Sequence, residues 1–192
     1  MLGAVAVIEG NRVILRAVEE DDSIAFHRWF NDPEVTRFLG VPFPALSLAQ
    51  ERRLIESLRD DNSRSVYTIL LKNATPIGIC ELREFDTKVR SCELAITIGE
   101  KQYWGQRYGG EAVELLLQIA FQGFNMHKVW LTCAAYNERG LRAYTRIGFC
   151  EEGRLRDARF IDGCYHDTVV MSILEEEWRH KQQATTDVQQ TT

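Results

Sequence analysis

The sequence lacks several features that would have narrowed its function at once. No two of its five cysteines are spaced C-x-x-C, and its four histidines show no metal-ligand spacing, so we expect reduced thiols and no metal site. Residues 1–8 are apolar, but they lack a basic n-region and are too short for a signal peptide or a membrane-spanning helix. A cytoplasmic protein without a membrane partner is predicted.

Basic charge is also scarce. The chain has 23 Lys and Arg residues against 28 Asp and Glu residues, which gives a formal net charge of −5. Nucleic-acid binders usually carry a basic excess on one face, so no nucleic-acid partner is expected. Two familiar nucleotide-binding loops, G-x-x-x-x-G-K-[ST] and G-x-G-x-x-G, are absent as well.

What is present fits one domain. The chain has 192 residues, of which 45% are hydrophobic, enough for one substantial core. We predict a single domain over residues 1–180. The remaining segment 181–192 is low in apolar residues and is predicted to be disordered.

The hydrophobic pattern predicts a mixed α/β sheet. Alternating or continuous apolar runs predict strands, 3.6-residue periods predict helices, and Asp162-Gly163 predicts a hairpin turn. The only parallel crossover predicted is the strand–loop–helix–strand of residues 91–135. The strands are expected at 11–18, 65–73, 76–85, 91–99 and 128–135 and on both sides of Asp162-Gly163; the helices follow Asp21 or Asp22, Ser47 (a capping box with Gln50), Gly110 and Asn137, the last ending at Gly148.

Three glycines stand just before the most apolar helix. In "YWGQRYGGEAVELLLQIAF", residues 103–121, Gly105, Gly109 and Gly110 precede a helix expected from Glu111. A glycine-rich turn before a helix presents unpaired amides and the positive end of the helix dipole, which together bind anions. On spacing alone, a plain glycine-rich turn is an equally good interpretation.

Longer stretches carry a resemblance to a known family. "WGQRYGGEA" (104–112) resembles the acetyl-CoA pyrophosphate loop of the GNAT (Gcn5-related N-acetyltransferase) superfamily, in the branch of ribosomal-protein alanine acetyltransferases, to which spermidine acetyltransferases are related. "NERGLRAYTRIGF" (137–149) is similar to a later helix of that branch. Arg107 replaces the branch's second glycine, which predicts either a more crowded loop or an added charge facing the phosphates. The resemblance covers roughly residues 10–175.

The resemblance implies a GNAT fold and direct transfer of an acetyl group from acetyl-CoA to an amine. Tyr144 is implied as the proton donor to the departing thiolate, with core packing as the alternative. Glu93 is our candidate for the base or the water-holding carboxylate, with a solvated strand residue as the alternative. A side chain at Gly109 is expected to fill the space that the diphosphate needs. The expected coenzyme-binding residues are Ile96, Thr97, Ile98, Gly105, Gln106, Arg107, Tyr108, Gly109, Gly110, Glu111 and Asn137, the last also a helix cap.

The acceptor pocket is expected from "RFLGVPFPALS", residues 37–47. Its apolar side chains suit a peptide or a partly apolar small molecule better than a polyamine, although they could equally pack on the sheet. Trp29, Phe30 and Phe38 are predicted to lie in the core. The leading hypothesis is an N-acetyltransferase of a primary amine such as a protein N-terminus. The alternatives are a small-molecule amine acetyltransferase (polyamine, amino acid or aminoglycoside) and a non-catalytic acyl-CoA-binding module, and a homodimer is implied by the family alone. The apolar side chains expected to form the acceptor pocket are Val41, Phe43, Pro44, Ala45 and Leu46.

Overall fold

The structure is a computed structural model that describes residues 7–39 and 45–190. Its centre is one sheet of eight strands in the order β1-β2-β3-β4-β5-β6-β8-β7. Every neighbouring pair is antiparallel except β5 and β6, which are parallel, so the predicted α/β sheet with one parallel crossover is confirmed. The strands are β1 Val7–Glu9, β2 Val13–Ala17, β3 Ser65–Leu71, β4 Pro76–Asp86, β5 Ser91–Ile98, β6 Lys128–Ala134, β7 Cys150–Ile161 and β8 Cys164–Leu174.

The helices begin and end largely where the capping residues predict. Ser47 and Gln50 form the expected capping box, and the Asn137 Oδ1 accepts a hydrogen bond of 3.0 Å from the Gly140 N–H. Gly148 ends its helix with a φ of 116°, and Asp162 and Gly163 both have positive φ, as a tight hairpin turn requires. The helices are α1 Ser23–Phe30, α2 Pro33–Thr36, α3 Leu48–Asp60, α4 Tyr108–Gln118 with a π-helical turn Ile119–Gly123, α5 Glu138–Ile147 and α6 Glu175–Gln190.

Three details differ from the sequence-based expectation, and a fourth, the disorder of the tail, is not decided. Strand β1 was not predicted, because three residues are too short to show a period. Helix α4 begins at Tyr108, three residues earlier than expected, because Gly109 and Gly110 lie inside its first turn. Asp22 precedes α1 but its side chain makes no capping bond there; it accepts hydrogen bonds from Arg16 and Thr68 instead. Residues 181–190 continue α6, and their disorder stays a prediction.

Helices cover both faces of the sheet. The larger core lies between the sheet and α4, whose buried side chains are Ala112, Val113 and the run Leu115–Leu117. A smaller core on the other face contains Phe26, Trp29 and Ile55 of α1 and α3. Cys80, Cys92 and Cys133 are buried as expected of reduced thiols, whereas Cys150 and Cys164 are exposed. Within residues 7–39 and 45–190, no helix is long and apolar enough to cross a membrane.

Strands β5 and β6 separate soon after they meet. They pair only at their first three residues, Ser91–Glu93 with Lys128–Trp130. From there β6 stays paired with β8 as far as Ala134, and β5 stays paired with β4. The side of β5 residues 94–98 that faces β6 therefore has no strand partner, and we call this opening the strand gap.

Candidate functional site

The backbone of β5 offers hydrogen-bonding groups to the strand gap. The Gly99 N–H donates to the Ile77 carbonyl at 2.9 Å, which fixes the alternation of the ladder with β4. By that alternation Thr97 directs its backbone groups towards β4, whereas Ile96 and Ile98 direct theirs into the strand gap. The Ile98 carbonyl accepts a hydrogen bond of 2.7 Å from the Trp104 indole. Of the three predicted β5 residues, Ile96 and Ile98 thus face the gap with their backbone and Thr97 does not.

The glycine loop, residues 103–111, leads from the end of β5 into α4. Gly105 and Arg107 have φ values of 74° and 68°, and Arg107 is the N-cap without a side-chain capping bond. The first helical bond runs from the Glu111 N–H to the Arg107 carbonyl, so the amides of residues 108–110 precede the first internal acceptor. They have no acceptor among the residues that the structure describes. Amides without an acceptor at the positive end of a helix dipole are groups that can bind an anion.

The three glycines of this loop have different surroundings. A Cβ at Gly109 would lie 3.3 Å from the Ile98 Cγ1, so the missing side chain lets α4 approach β5. A Cβ at Gly110 would meet only the Ile147 Cδ1 at 4.0 Å, and one at Gly105 would meet nothing within 4 Å. The expected reason for Gly109, space for the diphosphate, stays a prediction, and the contact with Ile98 gives a second reason: a side chain there would enter the helix–sheet contact.

Glu111 and Gln106 hold the glycine loop to β2. The Glu111 carboxylate accepts hydrogen bonds from the backbone N–H groups of Arg12 at 2.7 Å and Val13 at 3.2 Å. Burial acts to raise the pKa of Glu111, but these bonds and the Arg12 charge outweigh it and lower the pKa. Arg12 also donates to the Gln106 carbonyl at 3.1 Å and lies 4.5 Å from the centre of the Tyr108 ring. These contacts give Glu111 a positioning role and occupy the carboxylate that the sequence assigned to the coenzyme.

Helix α5 brings Asn137 and Tyr144 to the β6 side of the strand gap. The Asn137 Oδ1 is occupied by its capping bond. The Tyr144 ring packs edge-on against Phe149, with ring centres 5.8 Å apart, and lies against the larger core. Burial, and to a smaller extent the neighbouring Cys133, raises the pKa of Tyr144. The phenol therefore keeps its proton throughout the neutral range.

Glu93 lies near the opposite end of β5 from Ile98. It belongs to the part of β5 that is still paired with β6, opposite Trp130. Its carboxylate accepts a hydrogen bond of 2.7 Å from the Arg83 Nε, and its side chain is only 9% exposed. At about 3.4 Å per strand residue, Glu93 lies roughly 17 Å along β5 from Ile98. This arrangement gives no support to Glu93 as the base.

Sequence reasoning missed an aromatic cluster across the mouth of the gap. Phe38 follows α2 and contacts Trp104 and Tyr136, with ring centres 6.2 and 6.0 Å apart. Phe38 was predicted to lie in the core, and this prediction is wrong. Trp29 does lie in the core, with 1% of its surface exposed. The three rings come from segments far apart in the chain, so no local pattern could have found them. The predicted acceptor segment is described only in part. Residues 40–44, which include Val41, Phe43 and Pro44, lie outside the described residues. Leu46 forms two backbone hydrogen bonds with the Asn31 side chain.

A separate groove of about 620 Å³ lies between α4, α6 and the β1–β2 turn. It is bordered by the polar face of α4, including Glu111 and Glu114, and by Trp178 of α6. The strand gap lies on the opposite, apolar side of α4. The groove is therefore a different place from the site described above.

Comparison with known proteins gives a consistent result. Residues 12–150 match the family model described as "Acetyltransferase (GNAT) domain". The spermidine N(1)-acetyltransferase of Vibrio cholerae serotype O1 is 27% identical over 172 residues, which cover 89% of this chain and 98% of that protein. The spermidine N(1)-acetyltransferase of Escherichia coli K12 is 26% identical over 167 residues, covering 86% and 88%.

A solved structure agrees with these relatives. The crystal structure of the V. cholerae spermidine N-acetyltransferase in complex with CoA and spermine superposes with a TM-score of 0.81 at 27% identity, covering 88% of this chain and 99% of that one. The family model spans both sides of the strand gap and the whole glycine loop. The chain therefore belongs to the GNAT family and is an N-acetyltransferase that uses acetyl-CoA as its co-substrate and an amine as the acceptor.

Proposed function

We propose that the acceptor is a protein N-terminal α-amine, acetylated directly in a ternary complex with acetyl-CoA bound along the strand gap. The observation that carries the proposal is the position of the strand gap, which lies between the unpaired amides at the start of α4 and helix α5 with Tyr144. The residues fit a diphosphate: the Gly109 and Gly110 amides have no other acceptor among the described residues, and a Cβ at Gly105 would meet nothing within 4 Å. The backbone of Ile96 and Ile98 would bind the pantetheine arm.

If the acceptor is an α-amine, the reaction does not need a strong general base from the protein. Its nitrogen lone pair forms the N–C bond to the thioester carbonyl carbon while the C–S bond breaks and sulfur leaves with the electron pair. An α-amine has a pKa of about 8, whereas a side-chain amine is near 10.4. Water can take the proton of the former close to neutral pH. This supports an α-amine, because Glu93, the carboxylate predicted as the base, is engaged with Arg83.

Two groups of the chain would assist the transfer. An N–H of Ile96 or Ile98 that faces the gap would donate to the thioester oxygen as negative charge develops there. Tyr144 would give its proton to the departing sulfur and regain one from solvent. Its raised pKa supports the role of a donor that is still protonated at neutral pH.

A polyamine is the second candidate acceptor. The observation that favours it is the similarity to spermidine acetyltransferases, one of them solved with CoA and spermine. A polyamine has several ammonium groups, and its recognition needs carboxylates near the acceptor site. The aromatic cluster at the gap, with arginines around it, favours a different acceptor.

The test measures CoA-thiol release from acetyl-CoA and maps the acetylated atom by mass spectrometry. The acceptors are a peptide with a free N-terminus, the same peptide with a blocked N-terminus and one lysine, and spermidine. We expect turnover and an acetyl group on the α-nitrogen only with the first. Turnover of spermidine alone, or of the lysine peptide alone, would contradict the proposal. Tight CoA binding without turnover of any amine would identify a non-catalytic binding module instead.

A further inference from the structure

An arginine–aromatic cluster lies at the mouth of the strand gap. Its aromatic members are Phe38, Trp104 and Tyr136. Trp104 belongs to the β5 side of the gap, because its indole is bonded to the Ile98 carbonyl. Tyr136 belongs to the β6 side, because it follows that strand by two residues. The cluster therefore spans the gap beside the two strand ends.

Three guanidinium groups surround these rings. The Arg139 Cζ lies 4.1 Å from the centre of the Trp104 ring. The Arg37 Cζ lies 5.6 Å from the centre of the Phe38 ring. Arg159 comes from β7 and donates to the Phe38 carbonyl at 3.3 Å.

The cluster has an excess of positive charge. Arg37 has a carboxylate partner, Asp162, but the two atoms are 3.8 Å apart and Asp162 is 82% exposed. Arg139 and Arg159 form no ion pair with any residue in the described parts of the chain. Arg139 is an exposed residue, but the contact of its guanidinium with the Trp104 ring desolvates part of the group, and this burial lowers the pKa of Arg139 with no counter-charge beside it. A charge left in this way is stabilised by a carboxylate that arrives with a ligand.

We infer that the acceptor amine carries a carboxylate, which binds to Arg139 and Arg159 at this cluster. The inference rests on the proposed function, and it narrows the substrate class from any α-amine to one attached to an acidic molecule. The apolar part of the acceptor packs against Phe38 and Tyr136. The same positive charges repel spermidine, whose ammonium groups would lie beside them.

Two sources could supply the carboxylate, and the experiment separates them. One series of peptides has a serine N-terminus followed by two glutamates, two glutamines or two lysines. The other compares free phenylalanine with phenylalaninamide, which lacks only the carboxylate. Values of kcat/KM are measured for each, with spermidine as a further acceptor. Isothermal titration of the same molecules onto the protein with CoA gives a readout that is independent of turnover.

We expect the glutamate peptide to exceed the glutamine peptide by at least about tenfold in kcat/KM, the effect of one charge-assisted hydrogen bond. For Arg139→Gln and Arg159→Gln, this ratio should fall to about twofold, mainly through KM. Arg142→Gln is the matched control, because Arg142 lies on the same helix and pairs with Glu138 at 3.0 Å. It should keep the preference. A preference for free phenylalanine over all three peptides and over its amide would identify the amino-acid carboxylate as the source, and it would contradict a protein N-terminus as the acceptor.

Equal kcat/KM and equal affinity for acidic and basic acceptors would overturn the inference and leave the proposed function intact. Preferred binding of spermidine would overturn it too. Weaker CoA binding by Arg139→Gln, with the acceptor preference unchanged, would assign this arginine to the coenzyme and likewise overturn it. Absence of turnover with every amine would contradict the proposed function, while the titrations still decide whether the cluster prefers an acidic ligand.

Discussion

The Trp104 indole donates its hydrogen bond to the carbonyl of Ile98, the last residue of β5. This bond fixes the start of the glycine loop at the end of the strand whose backbone lines the gap. The face of the same ring is contacted by the guanidinium of Arg139 from α5. Trp104, which belongs to the glycine loop, thus contacts both the strand and the helix that border the site. The loop amides and the β5 backbone can bind the same CoA molecule only if α4 lies close enough to β5. The α4–β5 distance should therefore control CoA affinity.

Substitution of Gly109 tests that distance. In Gly109→Val the new side chain begins 3.3 Å from the Ile98 Cγ1 and forces α4 away from β5. Overpacking of this kind costs about 1–3 kcal/mol of unfolding free energy. We expect CoA affinity to fall by about tenfold or more, since about 1.4 kcal/mol of lost binding free energy has that effect. Denaturant titration and calorimetric CoA binding measure the two effects.

Gly110→Ala is the matched control one residue along. Its Cβ would have a single neighbour, at 4.0 Å, and alanine favours the helix by up to about 1 kcal/mol. The variant should be as stable as the wild type or more stable, with CoA affinity nearly unchanged. If both variants lost CoA binding equally, the space near the phosphates rather than the α4–β5 contact would be the limiting feature.

Arg107 offers a second test of the loop, because a non-glycine residue there has a φ of 68°. The left-handed conformation costs such a residue about 1 kcal/mol, so Arg107→Gly should raise the unfolding free energy slightly. It should also weaken CoA binding by about threefold to tenfold, because a charge near the phosphates is lost. Thermal unfolding and CoA titration would measure both.

Ala74→Gly controls for the backbone effect. Ala74 has a φ of 64° in the exposed turn between β3 and β4, away from the loop. It should show a similar gain in stability without any change in CoA affinity. Tighter CoA binding by Arg107→Gly would mean that the arginine crowds the loop instead of contributing charge.

Features encoded within a few residues could be predicted from the sequence. The bonds between Ser47 and Gln50 and between Asn137 and Gly140 each join residues three positions apart, so local spacing reveals them. The parallel crossover followed from a long apolar helix between two strand-like runs. The glycine loop was found because glycines and a helix start are adjacent in the sequence.

Contacts between distant segments could not be predicted in this way. Arg12 and Glu111 are 99 positions apart, and nothing near either residue indicates the other. Glu93 looked available as a base because its partner Arg83 lies on the neighbouring strand, and strand register depends on the turn between them. A carboxylate chosen by its place on a strand therefore carries little information until its cross-strand neighbour is known.

Tyr144→Phe tests the proposed proton donor. We expect turnover to fall by about 100-fold, the lower range of general acid–base catalysis, with CoA affinity nearly intact. Because burial raises the pKa of Tyr144, its deprotonation should cause no loss of wild-type activity up to about pH 10, where an ordinary tyrosine ionises. The rate should instead rise with pH until the amine is deprotonated. Tyr165→Phe, at an exposed position of the β7–β8 hairpin, is the control. An undiminished rate for Tyr144→Phe would assign the proton to water or another residue.

The stability of the helical layer formed by α1 and α3 should depend on Glu51. This residue of α3 is fully buried, and neither carboxylate oxygen has a hydrogen-bond partner among the described residues. Burial raises the pKa of Glu51 above its usual 4.5, and the nearby His27 opposes the shift only in part. An acid whose pKa is raised on folding costs no stability below about pH 4.5, where it is protonated in both states, and it destabilises the fold as the pH rises through the folded-state pKa.

Glu51→Met should therefore stabilise the protein by about 1–3 kcal/mol at pH 7, because it replaces a buried unpaired acid with an apolar side chain of similar size. The gain should shrink as the pH falls towards 4. Urea unfolding at pH 4 and pH 7 measures both values. Glu56→Met, on an exposed face of the same helix, should change stability by less than about 0.5 kcal/mol at either pH. A destabilised Glu51→Met at pH 7 would show that the carboxylate has a stabilising partner, and its pH dependence would identify the charge of that partner.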